Sequence, residues 1–356
     1  GERAGLWKTR VIHSLKGAPV RDSAPIFNVR GMSRFASFLR TQTAGALDVI
    51  AEFDSETARA AGRSVVFATN NASRTPQQAA DHLAVIGLEA SAEEFVTSPQ
   101  VASRLLAEDL APGAKVLVVG GPSLADQLRA DGLEPVETDA EDVVAVVQGW
   151  SPDLGWARLA EGAYAIRRGA RWMATNVDAT LPTERGLAPG NGSLVASLRH
   201  ATGAEPEVAG KPEPGMFTVA ATRIGARRPL VVGDRLDTDI EGAVRAGMDS
   251  LLVLTGVDTV ETALHAEPVR RPTFISPDLA GIAAPFPLPV VDGDGARCGA
   301  VSVRREGEDI AVVHGEADDP RVLRAVLSLL RATHPEHAWP GRLLSRDGAT
   351  ALPAAR

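Results

Sequence analysis

Three short clusters, far apart in the chain, carry residue types that do chemistry when they meet. The densest is Gly233-Asp234-Arg235-Leu236-Asp237-Thr238-Asp239, directly after the apolar Leu230-Val231-Val232. Three carboxylates this close resist joint ionisation unless a hard cation or an ammonium offsets them, and carboxylate oxygens with water are the ligands Mg2+ prefers. The same string also suits an Asp-rich helix cap. Gly210-Lys211-Pro212 offers one ammonium on a stiff turn, and Lys211 could neutralise part of that charge, although most lysines are simply solvated. Thr69-Asn70-Asn71 closes an apolar run. A hydroxyl and exposed N–H groups there suit a phosphoryl oxygen, helped by the positive end of a following helix. Thr-Asn-Asn is equally an ordinary turn.

Chemistry of this kind needs a scaffold that brings the three clusters to one edge. From Gly45 onward, helices alternate with short apolar strands, the pattern of a parallel α/β sheet. Strands are expected at 64–69, 115–119, 142–147, 172–175, 229–232 and 250–254. Helices are expected at 45–62, 75–86, 98–110, 123–130, 154–169, 194–202, from beyond Pro212 to 224, and at 239–246. All three clusters then lie at or beside the C-terminal ends of parallel strands, where open α/β sheets hold ligands. Further on, 297–304 and 309–314 read as a hairpin, and 320–333 as an amphipathic helix with Val322, Leu323, Val326, Leu327 and Leu330 on one face.

In this order the clusters resemble the haloacid dehalogenase (HAD) superfamily of phosphohydrolases. Within it they look like subfamily IIA, with its NagD-like, p-nitrophenyl phosphatase-like and phosphoglycolate phosphatase-like enzymes. TNNASRTP is similar to that family's motif II, with Thr69 at the phosphate; GKPEP to motif III, with Lys211; and VVGDRLDTDIEGA to motif IV, with Asp234 and Asp239. NVDATLPTERGLAPGNGS further resembles an actinobacterial branch acting on glycerol 3-phosphate.

The resemblance implies an α/β fold: a HAD-like Rossmannoid parallel-sheet core at 44–90 and 205–282, and a large α/β cap inserted at 91–204. The 142 residues from Thr69 to Lys211 leave room for such a cap. A linker is expected at 283–290, a small acetyltransferase-like α+β domain at 291–335, and a loose tail at 336–356. No Gly-rich loop for a CoA pyrophosphate accompanies the small domain. The implied activity is Mg2+-dependent hydrolysis of a small phosphomonoester, glycerol 3-phosphate first. Thr69, Lys211 and Asp234 would be catalytic, and Asp234 and Asp239 would hold the metal. Asn70, Asn71, Asn176, Asp178, Gly190 and Gly192 would surround the substrate. A homodimer through the cap is a further expectation.

A phosphatase of this kind uses an aspartate as nucleophile, forming an aspartyl-phosphate that water hydrolyses. The family's motif I, hhhDxDG(T/V), supplies it and a second Asp that protonates the leaving group. Gly31-Met32-Ser33-Arg34 stands near its expected place without a carboxylate, and before Thr69 the only Asp residues are Asp22, Asp48 and Asp54. Asp54-Ser55-Glu56 imitates the spacing but lies only 15 residues before Thr69, inside a helical stretch. The loss coincides with a change of composition. Residues 1–43 hold eight Lys/Arg against Glu2 and Asp22, a net of +6 that leaves −14 for the rest of a chain whose total is −8. Two readings stay open on sequence alone: a phosphatase whose first 43 residues are exchanged or misjoined sequence, or an impaired relative that binds a phosphometabolite or a partner.

Composition bounds the rest. A chain of 356 residues with 44% apolar residues supports more than one domain. No apolar run is long enough to span a membrane, and the cytoplasm is the default location. Cys298 is the single cysteine, which excludes an internal disulfide and a cysteine-built zinc site. The acidic body argues against nucleic-acid binding. The histidines show no metal spacing, and Trp150, Trp156 and Trp172 are expected to pack within the cap.

Overall fold

The computed structural model describes residues 64–71, 75–85, 89–183, 185–282 and 287–352. The basic segment 1–43, the expected helix 45–62 and Asp54-Ser55-Glu56 lie outside the described residues.

Strand β1 (Phe67–Thr69) pairs in parallel with β2 (Phe95–Thr97), Phe67 opposite Phe95 and Thr69 opposite Thr97. Side chains alternate along a strand. Phe67 and Phe95 therefore stack on one face, with ring centroids 5.1 Å apart, against Ala79, Ala80 and Leu83 of helix α1 (Pro76–Val85). Ala68 and Val96 face the opposite side. Strand β2, which lies beyond the expected core boundary at 90, is thus hydrogen-bonded to β1; three residues are too few to show a period in sequence. Thr97 then caps α2 (Ser98–Asp109) in a reciprocal box with Gln100.

Above this pair stands a five-stranded parallel sheet in the order β4 (Glu134–Val136), β3 (Lys115–Val119), β5 (Val143–Gln148), β6 (Arg171–Ala174), β9 (Glu207–Val208). Val116 and Val118 point toward α2 and α3 (Pro122–Ala130), while Leu117 and Val119 point toward α4 (Trp156–Arg168) and α5 (Asn191–Thr202). The unbroken apolar run of β3 is thus explained by helices on both faces. Trp172 is buried in this layer, but Trp156 is 79% exposed, contrary to its expected packing role. Strand β9, which lies beyond the expected return to the core at 205, pairs with β6. The Pro/Gly-rich run between β6 and α5 forms an antiparallel hairpin, β7 (Thr180–Thr183) and β8 (Gly186–Pro189), that the sequence pattern did not reveal.

After α6 (Gly215–Arg223), strands β10 (Leu230–Gly233), β11 (Asp249–Val253) and β12 (Phe274–Ser276) form a parallel sheet in that order. Among the described residues no strand joins β1 to β10. The expected helix at 239–246 begins instead as a π turn over Leu236–Ile240, closed by the bond from Ile240 N–H to Arg235 O at 3.1 Å, and becomes α7 (Glu241–Arg245).

Beyond α8 (Val260–Leu264) the chain builds a six-stranded sheet in sequence order: β13 (Val290–Asp292), β14 (Gly295–Cys298), β15 (Val301–Glu306), β16 (Asp309–His314), β17 (Leu343–Leu344) and β18 (Thr350–Leu352). Helix α9 (Pro320–Thr333) connects β16 to the parallel β17. The run 297–304, expected as one strand, breaks at Gly299. Its φ of +64° makes a two-residue turn that sets Cys298 opposite Val301. The tail expected to be loose from 336 carries β17 and β18 and buries Trp339, whose indole N–H donates to Glu308 O at 2.7 Å.

This C-terminal unit has no separate core. Leu236, Ile240, Leu252 and Ile275 join Val303, Ile310, Leu330 and Trp339 in one buried cluster around α9. Arg271, buried below α9, donates to four carbonyls: Ala266, Leu330, His334 and His337.

Candidate active site

Lys211 lies between β9 and α6 and is 1% exposed. Its Nζ donates to Asp239 Oδ1 at 2.8 Å and to Ala68 O at 3.3 Å. One ammonium therefore ties the end of β1 to the turn after β10. An ion buried this completely requires its partner, because neither charge is solvated. The link expected between the lysine and the acidic cluster is present, and it runs through Asp239.

The three carboxylates of the acidic run separate in the fold. Asp237 turns aside and accepts two bonds from Arg235, at 3.0 and 2.8 Å. Asp239 is fully buried, its Oδ1 on Lys211 and its Oδ2 accepting from Arg235 N–H at 3.2 Å. Asp234 leaves β10 toward the β11 loop, where its Oδ2 accepts from Val257 N–H at 3.0 Å. A Cβ on Gly256 would lie 1.7 Å from Asp234 Oδ2, and one on Gly233 would lie 2.3 Å from Asp239 Cβ. Only glycine lets these loops approach the carboxylates. Among the described residues no three His, Cys, Asp or Glu side chains group as a metal centre. Hard oxygen donors and a small protein ligand count suit Mg2+, which keeps several waters; Asp239 has one oxygen on Lys211 and the other on Arg235 N–H, while Asp234 stands at the strand end.

Thr69, at the end of β1, is 2% exposed and accepts from Asn71 N–H at 3.1 Å. Asn70 contacts not an open cleft but Lys211: its Oδ1 accepts Lys211 N–H at 2.8 Å and its Nδ2 donates to Lys211 O at 3.1 Å. Asn176 donates to Asn70 O at 2.9 Å and accepts from Asp178 N–H at 3.2 Å, and Asn191 donates to Asn176 O at 2.7 Å. Two of the three asparagines expected around the substrate, Asn70 and Asn176, thus hold protein, while the Asn71 main-chain N–H donates to the Thr69 hydroxyl. Gly190 and Gly192 start α5 rather than lining a loop; Cβ atoms there would meet Asp178 O at 2.3 Å and Val177 O at 2.1 Å. Asp178 does reach the site, 3.5 Å from Asn70 Nδ2, and burial raises its carboxyl above the usual range against the opposing pull of Asn70 and Arg235.

Sequence reasoning passed over Asp258. Its Oδ2 accepts Leu236 N–H at 2.7 Å and its own N–H donates to Asp234 O at 3.1 Å, joining the two loops around Asp234. Its only signal in sequence was its place after Thr255-Gly256 at a strand end.

A buried lysine–aspartate pair at the ends of parallel strands, beneath an inserted α/β layer, is the arrangement of the haloacid dehalogenase-like hydrolases, and the chain belongs to that family. Residues 45–134 match the haloacid dehalogenase-like hydrolase profile and 208–282 the HAD-hydrolase-like profile. The chain is 50% identical over 285 residues to a D-glycerol 3-phosphate phosphatase of Mycobacterium tuberculosis, covering 78% of this chain and 77% of that one. The crystal structure of the M. tuberculosis glycerol phosphate phosphatase in complex with magnesium matches with a TM-score of 0.69 and 44% identity, over 85% of this chain and 91% of that one. A p-nitrophenyl phosphatase structure from Geobacillus stearothermophilus matches with a TM-score of 0.55 and 36% identity, over 58% and 83%. An acid sugar phosphatase of Staphylococcus aureus is 37% identical over 216 residues, 60% of this chain and 82% of that one. These relatives are phosphoric monoester hydrolases. No helix among the described residues is long and apolar enough to cross a membrane.

Proposed function

We propose that the chain is a Mg2+-dependent phosphatase of a small phosphomonoester, with glycerol 3-phosphate as the first candidate substrate. The observation that carries this reading is the buried Lys211–Asp239 pair reaching Ala68, since it sets a cation between the end of β1, which closes at Thr69, and the acidic turn that begins at Asp234. Lys211 and the Thr69 hydroxyl attract phosphoryl oxygens, and Asp239 holds the ammonium in place. Asp234 would hold Mg2+, which when bound supplies Lewis-acid charge that polarises a phosphoryl oxygen. The five-stranded layer acts as cap, its Asp178 closing the site from above. The C-terminal unit supports the acidic turn, and a dimer through the cap and a cytoplasmic location complete the reading.

The sequence favours one second reading. No Asp-x-Asp precedes Thr69, and the stretch where it belongs lies outside the described residues. Without a covalent nucleophile the remaining groups bind and orient a phosphate but lose most of the rate. Phosphate release from glycerol 3-phosphate by the purified chain with Mg2+, abolished in Asp234→Asn, supports hydrolysis. No release, with retained phosphate binding by titration calorimetry, selects the binding reading.

A further inference from the structure

Asn70 is 8% exposed and sits where three parts of the fold meet. Its side chain bridges both polar groups of one peptide unit's residue 141 positions away: Oδ1 to Lys211 N–H at 2.8 Å and Nδ2 to Lys211 O at 3.1 Å. Its own carbonyl receives two donors, Ser98 Oγ at 2.9 Å from the start of α2 and Asn176 Nδ2 at 2.9 Å from the cap layer. Asn176 is in turn held by Asn191 at the first turn of α5. A primary amide donates from its nitrogen and accepts at its oxygen, which matches the N–H and C=O that Lys211 presents. Lys211 follows a strand that pairs with the cap sheet, while its ammonium must reach a core strand. Asn70 thus ties the Lys211 main chain to that core strand.

We propose that Asn70 is a positioning residue that acts through Lys211, setting the lysine against Asp239 and Ala68, and that Asn176 couples this setting to the cap. The inference rests on the reading of Lys211 as the phosphate-attracting cation. A substrate-contacting Asn70 and a positioning Asn70 differ in one measurable respect. If Asn70 works only through Lys211, removing it matters only while the ammonium is there, so the two substitutions are strongly non-additive.

The test is a double-mutant cycle of Asn70→Ala and Lys211→Met, with the affinity for inorganic phosphate in Mg2+ read by titration calorimetry and folding checked by circular dichroism. Asn70→Ala is expected to weaken phosphate about tenfold, the size of one or two lost buried hydrogen bonds. In the Lys211→Met background it is expected to change affinity less than about twofold. Additive losses overturn the inference and return Asn70 to the substrate. If Asn70→Ala does not fold, uncharged Asn70→Ser takes its place in the same cycle. Its shorter side chain gives up the bridge across Lys211 N–H and O and is expected to show a comparable, equally non-additive loss. Failure of the unaltered chain to bind phosphate overturns the reading of the site itself, and with it this inference; additivity overturns the inference alone.

Discussion

Lys211 and Asp239 are each buried beyond the reach of water, so each charge depends on the other. Lys211→Met leaves the Asp239 carboxylate without its cation and is expected to cost about 3–5 kcal/mol, measured by urea unfolding. Adding Asp239→Asn to that variant removes the orphaned charge and is expected to recover most of the stability while phosphate affinity stays as weak as in Lys211→Met alone. Asp178 behaves in the opposite sense. Burial raises its carboxyl above the ordinary 3.8, so the folded state holds the proton more tightly than the unfolded chain does. This stability is present at low pH and is lost as pH rises from 3.8 through the raised value. Asp178→Asn, which cannot ionise, is expected to melt higher than the unaltered chain at pH 7, with the gap closing below pH 3.8 in thermal scans.

At the scale of elements, two loops decide whether the carboxylates point usefully. The β10 loop and the β11 loop are joined by Asp258, and they approach closely because Gly233 and Gly256 carry no Cβ. Gly256→Ala places a methyl inside the space of Asp234 Oδ2. It is expected to weaken Mg2+ binding at least about tenfold by calorimetry, and to cost about 1–3 kcal/mol of stability, as overpacking usually does. Element by element, the strands at 115–119 and around 143–148 were legible as apolar runs of five or six residues, and the helix 320–333 by its repeating apolar face. The strands β2, β9 and β17 were not: two or three residues carry no period, and only pairing with a distant neighbour makes them strands. The break at Gly299 was hidden for a related reason, since apolar residues flank it on both sides and only a left-handed backbone separates β14 from β15.

On the scale of the whole molecule, the C-terminal unit shares one apolar cluster with the acidic turn and with β11 and β12. Leu236 and Ile240 lie in that cluster while Asp239, between them, faces Lys211. Cooperative melting of this body is the consequence. Scanning calorimetry is expected to show the C-terminal unit and the β10–β12 sheet unfolding in one transition. Separate transitions for the two would show that they fold as independent domains. Arg271 strengthens the coupling, since its guanidinium serves four carbonyls drawn from the segment after α8, from α9 and from the chain beyond it.

The sequence by itself indicated the class of fold, because alternating helix and apolar strand admits few packings, and its resemblance to a known family grouped Thr69, Lys211, Asp234 and Asp239 as one expected site. What each residue does there was decided by the tertiary structure. Asp237 and Asp239 are two positions apart in the chain, yet one turns outward to Arg235 and the other inward to Lys211, because a π turn rather than a regular helix rotates them apart. Asn70 and Asn176 read as polar residues at strand ends and so as ligands; folding sets their amides against main-chain groups of Lys211 and Asn70. Local sequence records which groups are polar, and only the packed chain records which of them are already spoken for.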